Sequence, residues 1–255
     1  MEPQEPVQVH QPMPVEKIDM EMVSRPAACP PGLEYITQID QLLVHQQIEL
    51  FEAFTGFETN NKYVIKNSMG QQVYFAAEET NVCMRICCGS QRSFVIHIVD
   101  NTQREVMRIS RNFKCCAGCC WCAGADCCAF EVQVEAPVGQ VIGYVRQMKG
   151  CWYSFDIKDE HHDTVLKIDA PCCLCQTICC RADVEFQVFT ADKKAEVGKI
   201  SKQYPGLARE MFTDADNFGV TFPMDLDVKV KSTLLAAVFL VDFMFYEEKK
   251  NNNNN

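Results

Sequence analysis

The sequence predicts a mainly β protein, a closed barrel of about twelve strands around one central apolar helix near the C-terminus. Three observations lead there. Between Tyr63 and Phe222 the chain breaks into about twelve short runs in which apolar and polar residues alternate, the signature of strands with one wet face and one buried face. From Leu234 to Tyr246 it becomes apolar on every side, interrupted only by Asp242, so this helix has no polar stripe to leave in solvent. As a helix that run rises only about 20 Å, short of the roughly 30 Å hydrocarbon core of a bilayer. A twelve-stranded barrel has a lumen too wide for its own side chains to fill, and an all-round apolar helix would fill it. Asp242 then needs a hydrogen-bond partner inside the barrel. Lys229 and Lys231 before the run still allow the rival reading, insertion into a membrane with that flank cytosolic.

In chain order, residues 1–31 hold seven of the eleven prolines and show little periodicity. They read as a disordered, Pro-rich tail able to offer polyproline ligands to SH3- or WW-type partners. The folded domain is set at 32–248. Thr37-Gln-Ile-Asp40 resembles a helix start, and Ile36, Ile39, Leu43, Leu50 and Phe54 lie near helical spacing. Strands are expected near 63–67, 72–76, 82–86, 94–99, 105–110, 130–134, 141–147, 155–158, 164–169, 184–188, 196–201 and 218–223, a helical turn at 207–212, and the apolar helix at about 228–246. Residues 249–255, ending in five asparagines, form a second disordered tail.

Composition narrows the function. The net charge of −10 argues against nucleic acid as the main partner. No apolar leader stands near the N-terminus, so a cytosolic location is expected. Seventeen cysteines are too many for a reducing compartment to leave unexplained, and an odd number does not pair off. Seven cluster at Cys115, Cys116, Cys119, Cys120, Cys122, Cys127 and Cys128. Exposed clustered thiols near a membrane accept acyl chains, and two or more chains give stable anchoring. The pairs Cys116–Cys119 and Cys172–Cys175 also have C-x-x-C spacing, which suits a four-thiolate zinc site. Around the cluster Arg85, Arg92, Arg104, Arg108, Arg111 and Lys114 outnumber Asp100 and Glu105, a pattern that fits an anionic leaflet or an ordinary solvated strand face.

A second motif lies at 214–225. Asp214, Asp216 and Asp225 take positions one, three and twelve of an EF-hand-like loop, with Gly219 at six. Phe218, Val220 and Phe222 stand at positions five, seven and nine. Without oxygen-bearing side chains there, any calcium site would be weak, and a plain turn into a strand competes with it. His161-His162 reads as a polar hairpin tip. No phosphate-binding loop, nucleophile elbow or dinucleotide fingerprint occurs in the sequence.

Longer words are more specific. Gly32-Leu-Glu-Tyr-Ile-Thr-Gln-Ile-Asp-Gln-Leu-Leu43, Thr55-Gly-Phe-Glu-Thr-Asn-Asn-Lys-Tyr63, Asp214-Ala-Asp-Asn-Phe-Gly-Val-Thr-Phe-Pro-Met-Asp-Leu-Asp227, Gly143-Tyr-Val145 and Asp242-Phe-Met-Phe245 resemble the phospholipid scramblase family over about residues 30–248. The resemblance implies a tubby-like barrel around a C-terminal helix. It implies Ca²⁺-triggered, bidirectional, ATP-independent movement of phospholipids between leaflets, without covalent chemistry. It also implies an acylated cysteine cluster on the cytoplasmic face of the plasma membrane. Gly198 to Leu207 is similar to a nuclear import segment in the family, implying entry to the nucleus when not acylated. The rival readings are an acyl-anchored interaction module and a zinc-stapled structural protein.

Overall fold

The computed structural model describes residues 29–47, 61–171, 184–203 and 217–246. Twelve antiparallel strands form one closed barrel: β1 (Gln41–Gln47), β2 (Lys62–Lys66), β3 (Gln72–Glu79), β4 (Phe94–Asp100), β5 (Glu105–Arg111), β6 (Glu131–Glu135), β7 (Val141–Gln147), β8 (Ser154–Asp159), β9 (Thr164–Asp169), β10 (Val184–Thr190), β11 (Glu196–Gln203) and β12 (Asn217–Thr221). Each strand pairs with its neighbours in sequence. The ring closes where β1 lies between β2 and β12, with Leu43 opposite Lys66 on one side and Gly219 on the other. Burial alternates along β1, β2, β4 and β6, which is the one-sided patterning expected of a barrel wall.

A helix, α2 (Val228–Phe245), fills the lumen. The Asp227 side chain accepts hydrogen bonds from the Lys229 and Val230 backbone N–H groups and so caps its first turn. Every residue from Lys231 to Phe243 is buried. Asp242 has the partner its burial demands: the Tyr63 hydroxyl on β2 donates to its carboxylate at 2.8 Å. Around it, Tyr63 meets Phe239 edge-on and Phe94 stacks on Phe243.

The lysine flank is used inside the protein. Lys231 is fully buried, and its ammonium donates to the carbonyls of Ile36, Ile39 and Met224 at 3.2, 2.8 and 2.7 Å. Lys229 pairs with Glu160 at 2.9 Å. Among the described residues no helix is long and apolar enough to cross a membrane. The membrane-insertion reading of 234–246 therefore gives way to the barrel axis.

Three local expectations are corrected. The helix expected from Thr37 is instead a short 3-10 turn, Glu34–Gln38, followed by β1. Leu42 and Val44 alternate inward there, and the strand is needed to close the ring, so sheet pairing overrides a helix-like spacing. Leu50 and Phe54, also assigned to that helix, lie outside the described residues. The strand expected at 82–86 is a short helix, α1 (Val82–Cys88), because the Asn81 side chain accepts from the Cys83 N–H at 2.8 Å and caps it. β1 takes its place in the count, so twelve strands remain. Residues 1–28, the tail at 249–255 and the turn at 207–212 lie outside the described residues. Residues 29–31, assigned to the N-terminal tail, are instead part of the folded domain, with Cys29 buried and the Leu33 N–H donating to the Pro30 carbonyl at 3.2 Å.

Gly143 on β7 marks where α2 approaches the wall most closely. A Cβ there would sit 2.6 Å from the Lys158 carbonyl oxygen and 2.7 Å from Thr233 Oγ1 of α2. Gly143→Ala is therefore expected to destabilise the fold by about 1–3 kcal/mol, seen as a lower urea midpoint with an unchanged m-value.

Candidate functional site

Strand parity decides where the cysteines go. In an up-and-down barrel, alternate connections leave at the same end. The β3–β4, β5–β6 and β7–β8 connections, residues 80–93, 112–130 and 148–153, therefore share one end. Direct contacts join them: Gln91 donates to the Ala117 carbonyl at 3.1 Å, and the Gly150 N–H donates to the Cys120 carbonyl at 3.3 Å. Cys83, Cys87 and Cys88 lie on the first connection, all seven cluster cysteines on the second, and Cys151 on the third. Cys29 is buried elsewhere in the core. The remaining five, from Cys172 to Cys180, lie outside the described residues.

The 112–130 connection is built to show its thiols. Ala117, Ala123 and Ala129 turn inward. Lys114 donates to the carbonyls of Asp126 and Ala129 at 2.7 and 2.8 Å, drawing the segment into a loop. Arg146 of β7 holds Asp126 at 2.6 Å and Glu131 at 3.0 Å. Cys115, Cys116, Cys119, Cys122 and Cys127 are exposed, and Cys120 and Cys128 half-buried. Sulfurs of Cys115 and Cys116 lie 3.5 Å apart, and those of Cys127 and Cys128 3.6 Å apart.

These thiols differ chemically. Backbone N–H groups of Cys122 and Trp121 lower the Cys119 pKa by stabilising its thiolate. Hydrogen bonding to Cys115 raises Cys116, and bonding to Cys119 raises Cys122. Cys128, bonded to Cys127, is pushed up to about 11. The thiolate is the nucleophile toward acyl donors and alkylating agents, so Cys119 is the most activated of these four.

The zinc reading has little beneath it here: no cluster of three or more potential ligands occurs among the described residues, and Cys172 and Cys175 lie outside them. The basic patch does not form either. Arg92 is buried on Glu78 at 2.8 Å, and Arg111 is buried against the carbonyls of Ser90 and Arg92. Arg104 pairs with Asp100 and Arg108 with Glu105. Arg85 lies 3.9 Å from Glu78. The local excess of positive charge is mostly consumed by internal partners.

The calcium-loop residues divide as well. Phe218, Val220 and Phe222 are buried in the core, and Phe218 and Val220 belong to β12, paired on both sides. Asp225 is exposed beyond the strand. Five extended residues span about 17 Å, whereas calcium ligands lie 2.3–2.6 Å from the ion. The described part of this segment does not fit a wrapped calcium loop. Asp214 and Asp216 lie outside the described residues.

What residue spacing did not reveal is the pair of exposed tryptophans. Trp121, within the thiol loop, is 65% exposed, and Trp152, beside Cys151, is 62% exposed. Strand parity is the signal that would have brought them together.

The Scramblase family model matches residues 20–248. The chain belongs to the scramblase family. It is 54% identical to phospholipid scramblase 1 of Rattus norvegicus over 223 residues, which is 87% of this chain and 64% of that relative. It is 51% identical to phospholipid scramblase 2 of Bos taurus over 244 residues, 95% of this chain and 80% of the relative. It is 44% identical to phospholipid scramblase family member 5 of Homo sapiens over 219 residues, 86% of this chain and 78% of the relative. The chain thus spans a little under two thirds of the rat relative's length. No solved structure matches it significantly.

In unacylated, folded protein, iodoacetamide is expected to modify Cys119 faster than Cys128 at pH 7.4 and to leave Cys29 untouched until unfolding. As pH rises, the Cys119 rate should level off first, while Cys128 keeps gaining about tenfold per unit to near pH 10. Peptide mass spectrometry over a pH series measures both.

Proposed function

We propose that this protein moves phospholipids in both directions between membrane leaflets, without nucleotide and in response to calcium, while held at the cytoplasmic face of the plasma membrane by acyl chains. The observation that carries this reading is the family match along nearly the whole folded chain. Lipid exchange down its own gradient forms and breaks no covalent bond, so the protein needs only to lower the barrier to a headgroup crossing hydrocarbon.

The thiol loop supports the anchoring part. Two or more acyl chains on Cys115, Cys116, Cys119, Cys120, Cys122, Cys127 or Cys128 would convert marginal membrane affinity into stable attachment. Calcium enters through the family resemblance. Since the described residues of 217–225 do not form a wrapped loop, no step is assigned to the ion. A lipid path outside the barrel or at contacts between copies is favoured, since Leu234, Leu235, Phe239 and Leu240 are fully buried in the lumen.

That same filled lumen favours one second reading: an acyl-anchored interaction module that binds SH3- or WW-type partners through residues 1–31 and enters the nucleus when not acylated. Reconstitution separates the two. Purified full-length protein in vesicles carrying fluorescent lipid in both leaflets should make inner-leaflet lipid accessible to dithionite when millimolar calcium is added. Chelation should reverse this. Bleaching confined to the outer leaflet at millimolar calcium would leave the interaction module as the better account.

A further inference from the structure

Among the described residues the large exposed aromatic side chains are not scattered. The sequence has two tryptophans, and both stand on the cysteine-bearing end of the barrel, on different connections held together by the Gly150–Cys120 hydrogen bond. Phe113, 45% exposed, lies on the same end. A large aromatic side chain left in water forgoes a substantial hydrophobic gain, and three such residues at one end call for a partner surface.

Charge distinguishes the described connections of the two ends. Among the described connections, 80–93, 112–130 and 148–153 carry one carboxylate, Asp126, beside Arg85, Lys114 and Lys149, with Arg92 buried on Glu78. The opposite connections carry Glu160, Asp163, Asp192, Asp225 and Asp227 beside Arg104, Lys193 and Lys194. A protein partner needs shape complementarity and hydrogen bonds. A bilayer asks only for apolar aromatic rings at headgroup depth and sites for acyl chains, and the described loops of this end have both.

We infer that the end of the barrel formed by residues 80–93, 112–130 and 148–153 lies against the bilayer, with Trp121 and Trp152 seated in its interfacial region. The inference deepens the membrane reading above and rests on it for the presence of acyl chains. It also fixes the polarity of α2. The helix starts at the opposite end, where Lys229 meets Glu160. It finishes at the membrane end, where Phe245 packs edge-on against Tyr153, the residue next to Trp152. The loop that presents Trp152 is thereby braced by the last turn of the axis helix. Trp121 is braced by its own loop through Lys114 and the inward alanines.

Because both tryptophans lie on this end, the protein's intrinsic fluorescence reports on it alone. Acylated full-length protein is reconstituted into phosphatidylcholine–phosphatidylserine vesicles, with and without lipid brominated near the headgroup end of its acyl chains. Emission should shift to the blue, be quenched by the brominated lipid and lose its sensitivity to aqueous iodide. Trp152→Phe and Trp121→Phe should each leave a remaining tryptophan that behaves the same way. Met69→Trp, placed on the exposed far end in a Trp121→Phe, Trp152→Phe background, should stay open to iodide. Vesicle-bound protein whose Trp152 remains open to iodide, or whose far-end probe is the protected one, would overturn the orientation. Lipid exchange is read separately on the same vesicles. Quenching without exchange removes scrambling and leaves the orientation; exchange with iodide-accessible tryptophans does the opposite.

Discussion

The structure depends on a mutual constraint between α2 and the wall. A helix apolar on every side is insoluble by itself, and a ring of twelve strands encloses more space than its inward side chains occupy. Each removes the other's defect. The fit is close enough that β7 must place a glycine, Gly143, where Thr233 crosses. Two polar residues within the packed helix then specify its position along the axis. Asp242 meets the Tyr63 hydroxyl near one end, and Lys231 gathers three carbonyls near the other. Burial lowers the Lys231 pKa, which is the desolvation cost that the three carbonyls offset. A slide of one turn would strand both groups, and an unpaired buried charge is expensive.

Filling the lumen has a consequence for activity. The filled lumen leaves no polar pore through the barrel, so the lipid movement proposed above would have to use an external surface. The barrel's up-and-down topology supplies one. Alternate connections collect at a single end, and in this chain those connections carry the thiols and the exposed aromatic residues. The opposite end carries short turns and, among the described residues, most of the loop carboxylates. A chemically two-ended cylinder is suited to standing on a membrane, and its axis helix links the two ends mechanically.

Much of this was legible in the residues. The alternating runs are one-sided because each strand faces either core or water, and that period survives any rearrangement of neighbours. Twelve strands and a central helix followed from it. What misled was local. Ile36, Ile39 and Leu43 mimic a helix, yet ring closure needs β1 at 41–47. Residues 82–86 look strand-like, yet the Asn81 cap nucleates a turn of helix. The arginines near the thiol cluster look like one basic patch, yet Arg92 and Arg111 point inward and most of the others face carboxylates. Phe218 and Val220 sit at plausible loop positions, yet they belong to a paired strand. Side-chain direction at these places depends on partners distant in sequence, which spacing does not encode.

The sequence by itself determined the fold class, the family and the clustering of cysteines, since periodicity, long motifs and composition are properties of the chain alone. Tertiary structure decided that the apolar helix lies inside the protein, because only a closed wall removes all its faces from water. It also decided which connections share an end, because strand parity acts only once the ring exists. That parity, and no feature of the 112–130 segment alone, brings Trp152 and Cys151 beside Trp121 and makes one surface of three separate loops.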